Sequence, residues 1–120
     1  MTLKITILGA TGSIGKSTLE IVRQHPDHFK IVGLSTNTNI KLFEKLIKEF
    51  RPKKAVIANK SFFKKTLSFS GVKIIAGEEG LLEISGDPDT DVVVAGIVGF
   101  AGLSSVMAAT RAGKRVLLAN

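Results

Sequence analysis

Lys4-Ile-Thr-Ile-Leu-Gly-Ala-Thr-Gly-Ser-Ile-Gly-Lys-Ser-Thr18 joins a short apolar run to glycines at Gly9, Gly12 and Gly15, with a helical pattern directly behind them. This order predicts a strand, a turn nearly free of side chains, and a helix N-terminus, an arrangement that presents backbone N–H groups to a phosphate. The glycines have separable tasks. Gly9 lets the chain turn sharply off the strand, Gly12 lets a pyrophosphate approach the backbone, and Gly15 lets the first helical turn pack against the sheet. Thr11 and Ser13 add hydroxyls that can donate to phosphate oxygens or cap the helix. The spacing G-x-x-G-x-x-G is a variant of the commoner G-x-G-x-x-G, so these roles are assigned by analogy.

Gly15-Lys16-Ser17 overlaps the tail of a P-loop, but that motif needs a glycine five residues before its Gly-Lys pair, and Ala10 stands there. The apolar run Val92–Ala95 ends in Gly96 and not in the acidic residue that a P-loop enzyme uses to hold its metal. Dinucleotide binding is the better reading.

Outward from this turn, strand and helix patterns alternate. Strands are predicted at 5–8, 29–34, 55–58, 72–75, 91–95 and 115–119. Helices are predicted at 14–24, 40–50 and about 102–112, with shorter ones through Phe62 and Phe63 and from Gly77 to Ile84. Ile40, Phe43, Ile47 and Phe50 recur at steps of three and four; Asn37, Thr38 or Asn39 can cap that helix and Pro52 closes it. The pattern predicts an α/β, Rossmann-like doubly wound sheet, mainly parallel, with helices on both faces. Ligands of such sheets sit at the carboxyl ends of the strands, where Gly9–Gly15, Ser35–Asn39, Gly96–Gly102 and Asn120 fall.

A sheet built for NAD carries an acidic residue at the end of its second strand, to accept from the ribose 2′-OH. Here that end reads Leu34-Ser-Thr-Asn-Thr-Asn39, with Lys41 following. Hydroxyls, amides and a helix N-terminus suit a 2′-phosphate, so NADPH is expected in preference to NADH.

Composition bounds the rest. The chain has 120 residues, 44% of them apolar, with three prolines and no cysteine, which fits one globular domain and excludes disulfides and thiolate chemistry. No signal-peptide pattern opens it, and no apolar run approaches the ~18 residues of a membrane span, so a cytoplasmic location without membrane contact is expected. The net charge of +7 gathers at Lys41, Lys45, Lys48, Arg51, Lys53, Lys54, Lys60, Lys64 and Lys65. Without tyrosine or tryptophan for base stacking, this reads as a solvated face, and no nucleic acid is expected as partner. His25 and His28 read as a surface turn, and Asp87, Asp89 and Asp91 as a solvated turn.

Gly9-Ala-Thr-Gly-Ser-Ile-Gly15, His25-Pro-Asp-His-Phe29, Ala95-Gly-Ile-Val-Gly-Phe-Ala-Gly-Leu103 and Arg111-Ala-Gly-Lys-Arg-Val-Leu-Leu-Ala-Asn120 together resemble the N-terminal NADPH-binding domain of the 1-deoxy-D-xylulose 5-phosphate reductoisomerases. The resemblance runs over essentially the whole chain and makes residues 1–120 one NADPH-binding domain. It implies that Thr11, Gly12, Ser13 and Ile14 hold the pyrophosphate and that Asn37, Thr38 and Asn39 lie beside the ribose phosphate. Gly96 and Ile97 would line the cleft, and Asn120 would approach the nicotinamide. Many members carry Gly and a basic residue where Asn37 and Thr38 stand, a departure in this chain. The resemblance further implies a phosphorylated ketose as substrate, Mg²⁺ or Mn²⁺ held by residues beyond position 120, and a homodimer at full length. The chain is then expected to be a fragment that ends before its catalytic and metal-binding residues. Two other readings share the glycine turn: the cofactor domain of a semialdehyde dehydrogenase-type reductase, and a non-catalytic nucleotide-sensing module.

Overall fold

The computed structural model describes residues 2–64, 67–97 and 99–118. Six strands form one sheet: β1 (Leu3–Leu8), β2 (Phe29–Thr36), β3 (Lys54–Ile57), β4 (Lys73–Ala76), β5 (Val92–Ala95) and β6 (Arg115–Leu118). Their order is β4-β3-β2-β1-β5-β6, and every neighbouring pair is parallel. Four α-helices connect them: α1 (Ser13–Gln24), α2 (Ile40–Phe50), α3 (Glu79–Ser85) and α4 (Gly99–Arg111).

The helices cover both faces, and the side-chain alternation of the strands explains how. Ile5 and Ile7 of β1 point to one face, where they meet Leu19 and Val22 of α1 and Phe43, Leu46 and Ile47 of α2. Leu8, Val56, Val93 and Ala95 point to the other and meet Leu81 and Ile84 of α3 and Ala109 of α4. The strand order reverses at β1, whose neighbours are β2 on one side and β5 on the other. A crevice opens there at the carboxyl ends, the usual ligand position of this topology.

Several boundaries differ from those predicted. β2 continues to Thr36, so Ser35 and Thr36 are buried strand residues and not loop. Their hydroxyls find partners in the glycine turn, which lets polar side chains remain inside the sheet. The predicted helix through Phe62 and Phe63 is a single 3₁₀ turn, Lys60–Phe62, capped by the side chain of Asn59. Gly77 precedes α3 in a left-handed conformation (φ 98°), and the helix starts at Glu79. α4 begins at Gly99, earlier than the poor helix formers of that stretch suggest. A Cβ at Gly102 would lie 2.7 Å from the Ile97 carbonyl oxygen, so the early start rests on a close helix-to-loop approach that only glycine permits.

In the turn between α3 and β5, Asp89 and Asp91 are exposed as expected, but Asp87 is not. Asp87 is 6% exposed and lies 2.7 Å from Lys54 Nζ at the start of β3, with Lys53 Nζ at 3.3 Å. Lys54 in turn meets Glu83 of α3 at 2.9 Å. Burial alone would raise the Asp87 carboxyl, but hydrogen bonds from Lys54, the Asp89 N–H and Lys53 outweigh it and hold the pKa at about 2. A carboxyl depressed in the folded state stabilises the fold above its ordinary value of 3.8 and loses that contribution as pH falls toward 2. The contribution is about 2 kcal/mol. Asp87→Asn should therefore lower stability at pH 7 by about that amount and flatten the pH dependence between pH 4 and 2. Urea denaturation of both proteins across this range reads the effect, and equal stability at pH 7 would remove the ion pair from the account.

Candidate functional site

The crevice is built by three chain segments. The first is the glycine turn after β1. Gly9 adopts φ 81°, a conformation that side chains other than glycine rarely adopt, and a Cβ on it would lie 3.0 Å from both the Gly96 carbonyl oxygen and Ile97 Cγ2. The turn is thus pressed against the loop after β5, whose Gly96 N–H donates to the Leu8 carbonyl at 2.9 Å. Gly15 has still less room: a Cβ there would lie 2.5 Å from the Gly9 carbonyl oxygen and 2.6 Å from Ala10 Cα. The first turn of α1 sits directly on the backbone of the glycine turn, not on the sheet as such.

Gly12 differs from both. A Cβ there would meet only the Gly9 carbonyl oxygen, at 3.5 Å. Nothing in the protein requires glycine at this position, and the space it leaves open faces the N-terminus of α1. Gly12 is also the N-cap residue and supplies no side-chain cap. Among the described residues, the N–H groups of Ser13, Ile14 and Gly15 have no protein acceptor. No acidic residue occupies that first turn. Unpaired donors, the positive end of a helix dipole and an open approach together make an anion site.

The second segment follows β2. Asn37, Thr38 and Asn39 are exposed at its end, and α2 starts directly behind them. Of the three predicted caps, Asn39 is the one used; its Oδ1 accepts from Leu42 N–H at 3.3 Å. No acidic residue lies in the first turn of α2. The third segment is Gly96 and Ile97 after β5, both partly buried. Asn120 lies outside the described residues.

A cavity of about 320 Å³ lies between the ends of β2, β3 and β5, lined among others by Thr36, Asn37, Ala58, Gly96 and Ile97. This size suits a small-molecule site. Glu78, just before α3, and Leu81 within it close the cavity on that side. Sequence reasoning missed these two, because no local pattern ties the start of α3 to the end of β2. Ile14 faces elsewhere: its side chain lines a mostly apolar groove of about 420 Å³ on the α1 side of β1, β5 and β6. That groove offers few polar groups to an anion, so the phosphate candidate is the glycine turn and not the larger hollow.

Of the two roles open to the Thr11 and Ser13 hydroxyls, capping is not used: Gly12 stands at the N-cap position of α1 and no side chain caps the helix. Thr11 Oγ1 lies 2.8 Å from Thr36 Oγ1, so its first partner is a protein hydroxyl. Among the described residues, no group of three or more histidine, aspartate or glutamate side chains gathers as a metal centre would need. None of the described helices is long and apolar enough to cross a membrane.

A family model described as 1-deoxy-D-xylulose 5-phosphate reductoisomerase matches residues 5–120. The reductoisomerase of that name from Acinetobacter baumannii (strain ACICU) is 46% identical over 125 aligned residues, which take in all of this chain and 31% of the relative. Among solved structures, the Zymomonas mobilis reductoisomerase in complex with NADPH superposes with a TM-score of 0.91 at 39% identity, over 100% of this chain and 32% of that one. A reductoisomerase in complex with NADPH, fosmidomycin and magnesium gives 0.90 at 45% identity, over 98% and 30% respectively. The chain therefore spans about a third of the length of the relatives it matches. It belongs to the 1-deoxy-D-xylulose 5-phosphate reductoisomerase family.

Proposed function

We propose that residues 1–120 are the NADPH-binding domain of a metal-dependent reductoisomerase that converts 1-deoxy-D-xylulose 5-phosphate to 2-C-methyl-D-erythritol 4-phosphate in the non-mevalonate isoprenoid pathway. The observation that carries this reading is the contrast between Gly15 and Gly12. One is glycine because the protein fills the space, the other although the protein leaves it open beside unpaired N–H donors. A cradle that a side chain would fill is what a pyrophosphate needs.

In this reading the backbone of Thr11, Gly12, Ser13 and Ile14 holds the pyrophosphate. Asn37, Thr38 and Asn39 receive the 2′-phosphate, and Gly96 and Ile97 line the cofactor cleft. Asn120 is assigned to the nicotinamide side by the family resemblance alone. The lack of a carboxylate at the end of β2, with Lys41 in the first turn of α2, supports a phosphorylated over a free ribose. When bound, NADPH supplies a hydride to the carbonyl carbon of the rearranged substrate. The domain would contribute position, orienting the nicotinamide for that transfer. Among the described residues no acidic or histidine cluster fits Mg²⁺ or Mn²⁺, so these residues are not assigned the metal. A full-length protein would be a cytoplasmic homodimer. Family membership weighs against the semialdehyde dehydrogenase and nucleotide-sensor readings.

Calorimetric titration with NADPH and NADH tests the cofactor assignment. NADPH should bind about 10-fold or more tightly, since hydrogen bonds to a charged phosphate are worth about 1.5–3 kcal/mol. Equal affinity would remove the 2′-phosphate from the Asn37–Asn39 loop. A preference for ATP with Mg²⁺ would restore the P-loop reading of Gly15-Lys16-Ser17.

A further inference from the structure

Ser35 and Thr36 are the last two residues of β2, and both are 1% exposed. Strand packing alone would be served at least as well by valine or isoleucine at these positions. Their polar atoms are instead spent on the glycine turn. Ser35 Oγ accepts from the Gly9 N–H at 2.9 Å, and the Ser35 carbonyl accepts from the Ala10 N–H at 2.8 Å. One residue on, the Thr36 and Thr11 hydroxyl oxygens are 2.8 Å apart. Three consecutive residues of the turn are thus tied to two consecutive residues of the strand, and Asn37 follows immediately. These bonds are part-buried, where losing one partner leaves the other unsatisfied.

Either hydroxyl of the pair can donate to the other. Each threonine carries one hydroxyl proton, and only one of the two lies between the oxygens. Thr36 is buried and Thr11 is partly exposed in the turn. With Thr36 donating, Thr11 keeps its proton for a phosphate oxygen on the crevice side.

We infer that Ser35 and Thr36 are positioning residues that join the pyrophosphate turn and the 2′-phosphate loop into one unit, and that the preference for NADPH over NADH depends on this junction. The inference rests on the NADPH reading above. Its structural half, the rigid coupling of turn to strand end, exists without nucleotide and is measurable without it.

Thr36→Val removes the hydroxyl at nearly constant volume. It should weaken NADPH binding about 10-fold and NADH binding less, so the preference itself narrows several-fold, as expected of coupled sites. Thr36→Ser keeps the hydroxyl and should restore the preference. Thr11→Val combined with Thr36→Val should cost little more than Thr11→Val alone, because that single change already breaks the junction. In the nucleotide-free protein, amide hydrogen exchange at Gly9 and Ala10 should accelerate in Ser35→Ala, and around Thr11 in Thr36→Val, while Ile7 and Val93 in the core remain protected. A merely structural role would lower the melting temperature and weaken both nucleotides by one factor, leaving their ratio fixed; that result overturns the inference, as does additivity of the two valine substitutions. If the unsubstituted protein binds neither nucleotide, the NADPH reading fails and the exchange data still decide the junction. Unchanged exchange at the turn would then overturn it, and faster exchange confined to the turn would support it.

Discussion

Gly12→Val is expected to lower NADPH affinity by about 100-fold or more while the protein remains folded, because the added methyl groups would enter the space kept for the pyrophosphate. The Cβ itself is tolerated, with the Gly9 carbonyl oxygen at 3.5 Å as its only close neighbour. The fold should feel only the poorer N-cap, a cost of about 1 kcal/mol. That corresponds to a fall of roughly 5 °C in melting temperature for a domain of this size. Gly12→Ala should lie between the two proteins in affinity. Calorimetry for binding and thermal denaturation for stability separate the effects. Retained affinity in a folded Gly12→Val protein would remove the glycine turn from the site.

Gly15→Ala is expected to act in the opposite way, through the fold first. At an ordinary helical position this change stabilises by about 1 kcal/mol. Here the methyl group would lie 2.5–2.6 Å from the Gly9 and Ala10 carbonyl oxygens and Ala10 Cα, backbone atoms that cannot rotate aside. The first turn of α1 must lift away, at a cost of about 3 kcal/mol by analogy with overpacked cores. Lifting it re-aims the Ser13 and Ile14 N–H groups, so nucleotide affinity should fall with stability. Urea denaturation reads the midpoint, and a midpoint at or above that of the unsubstituted protein would contradict the packing argument. The pair of substitutions is informative together. One glycine serves the ligand and the other serves the protein, and only the first should uncouple affinity from stability.

Much of this was legible in the sequence because its causes are local. The spacing of Gly9, Gly12 and Gly15 behind Ile5–Leu8 announced the strand, turn and helix. Phe43 and Ile47 recur at helical spacing and proved to be buried residues of α2. The unbroken run Val92–Ala95 proved to be a strand buried along its whole length, as a central parallel strand is. Asn39 was among the named caps.

What was not legible depends on partners distant in the chain. Ser35 and Thr36 carry the hydroxyls of a loop, and their bonds to residues 25 and 26 positions earlier satisfy those groups inside the sheet. Asp87 reads as a turn residue until Lys54, on a strand far earlier in sequence, is placed against it. Glu78 joins the cavity lining by the crossover from β4 back to β5, which no periodicity encodes. For the glycine turn, the separate tasks of Gly12 and Gly15 were read from spacing, and what the fold adds is the neighbour of Gly15, which is the backbone of Gly9 and Ala10 and not the sheet.

The central claim is that the crevice at the carboxyl ends of β1, β2 and β5 holds NADPH. Amide chemical-shift mapping of the isotopically labelled protein during an NADPH titration tests it most directly, because it locates the ligand even when binding is weak. The account predicts shifts concentrated at Gly12, Ser13, Ile14, Asn37–Asn39, Gly96 and Ile97, with Lys30, Arg51 and Gly71 at the opposite edge of the sheet unmoved. Shifts confined to that opposite edge or to the apolar groove beside Ile21 and Leu117, or no shifts at saturating NADPH, would contradict it.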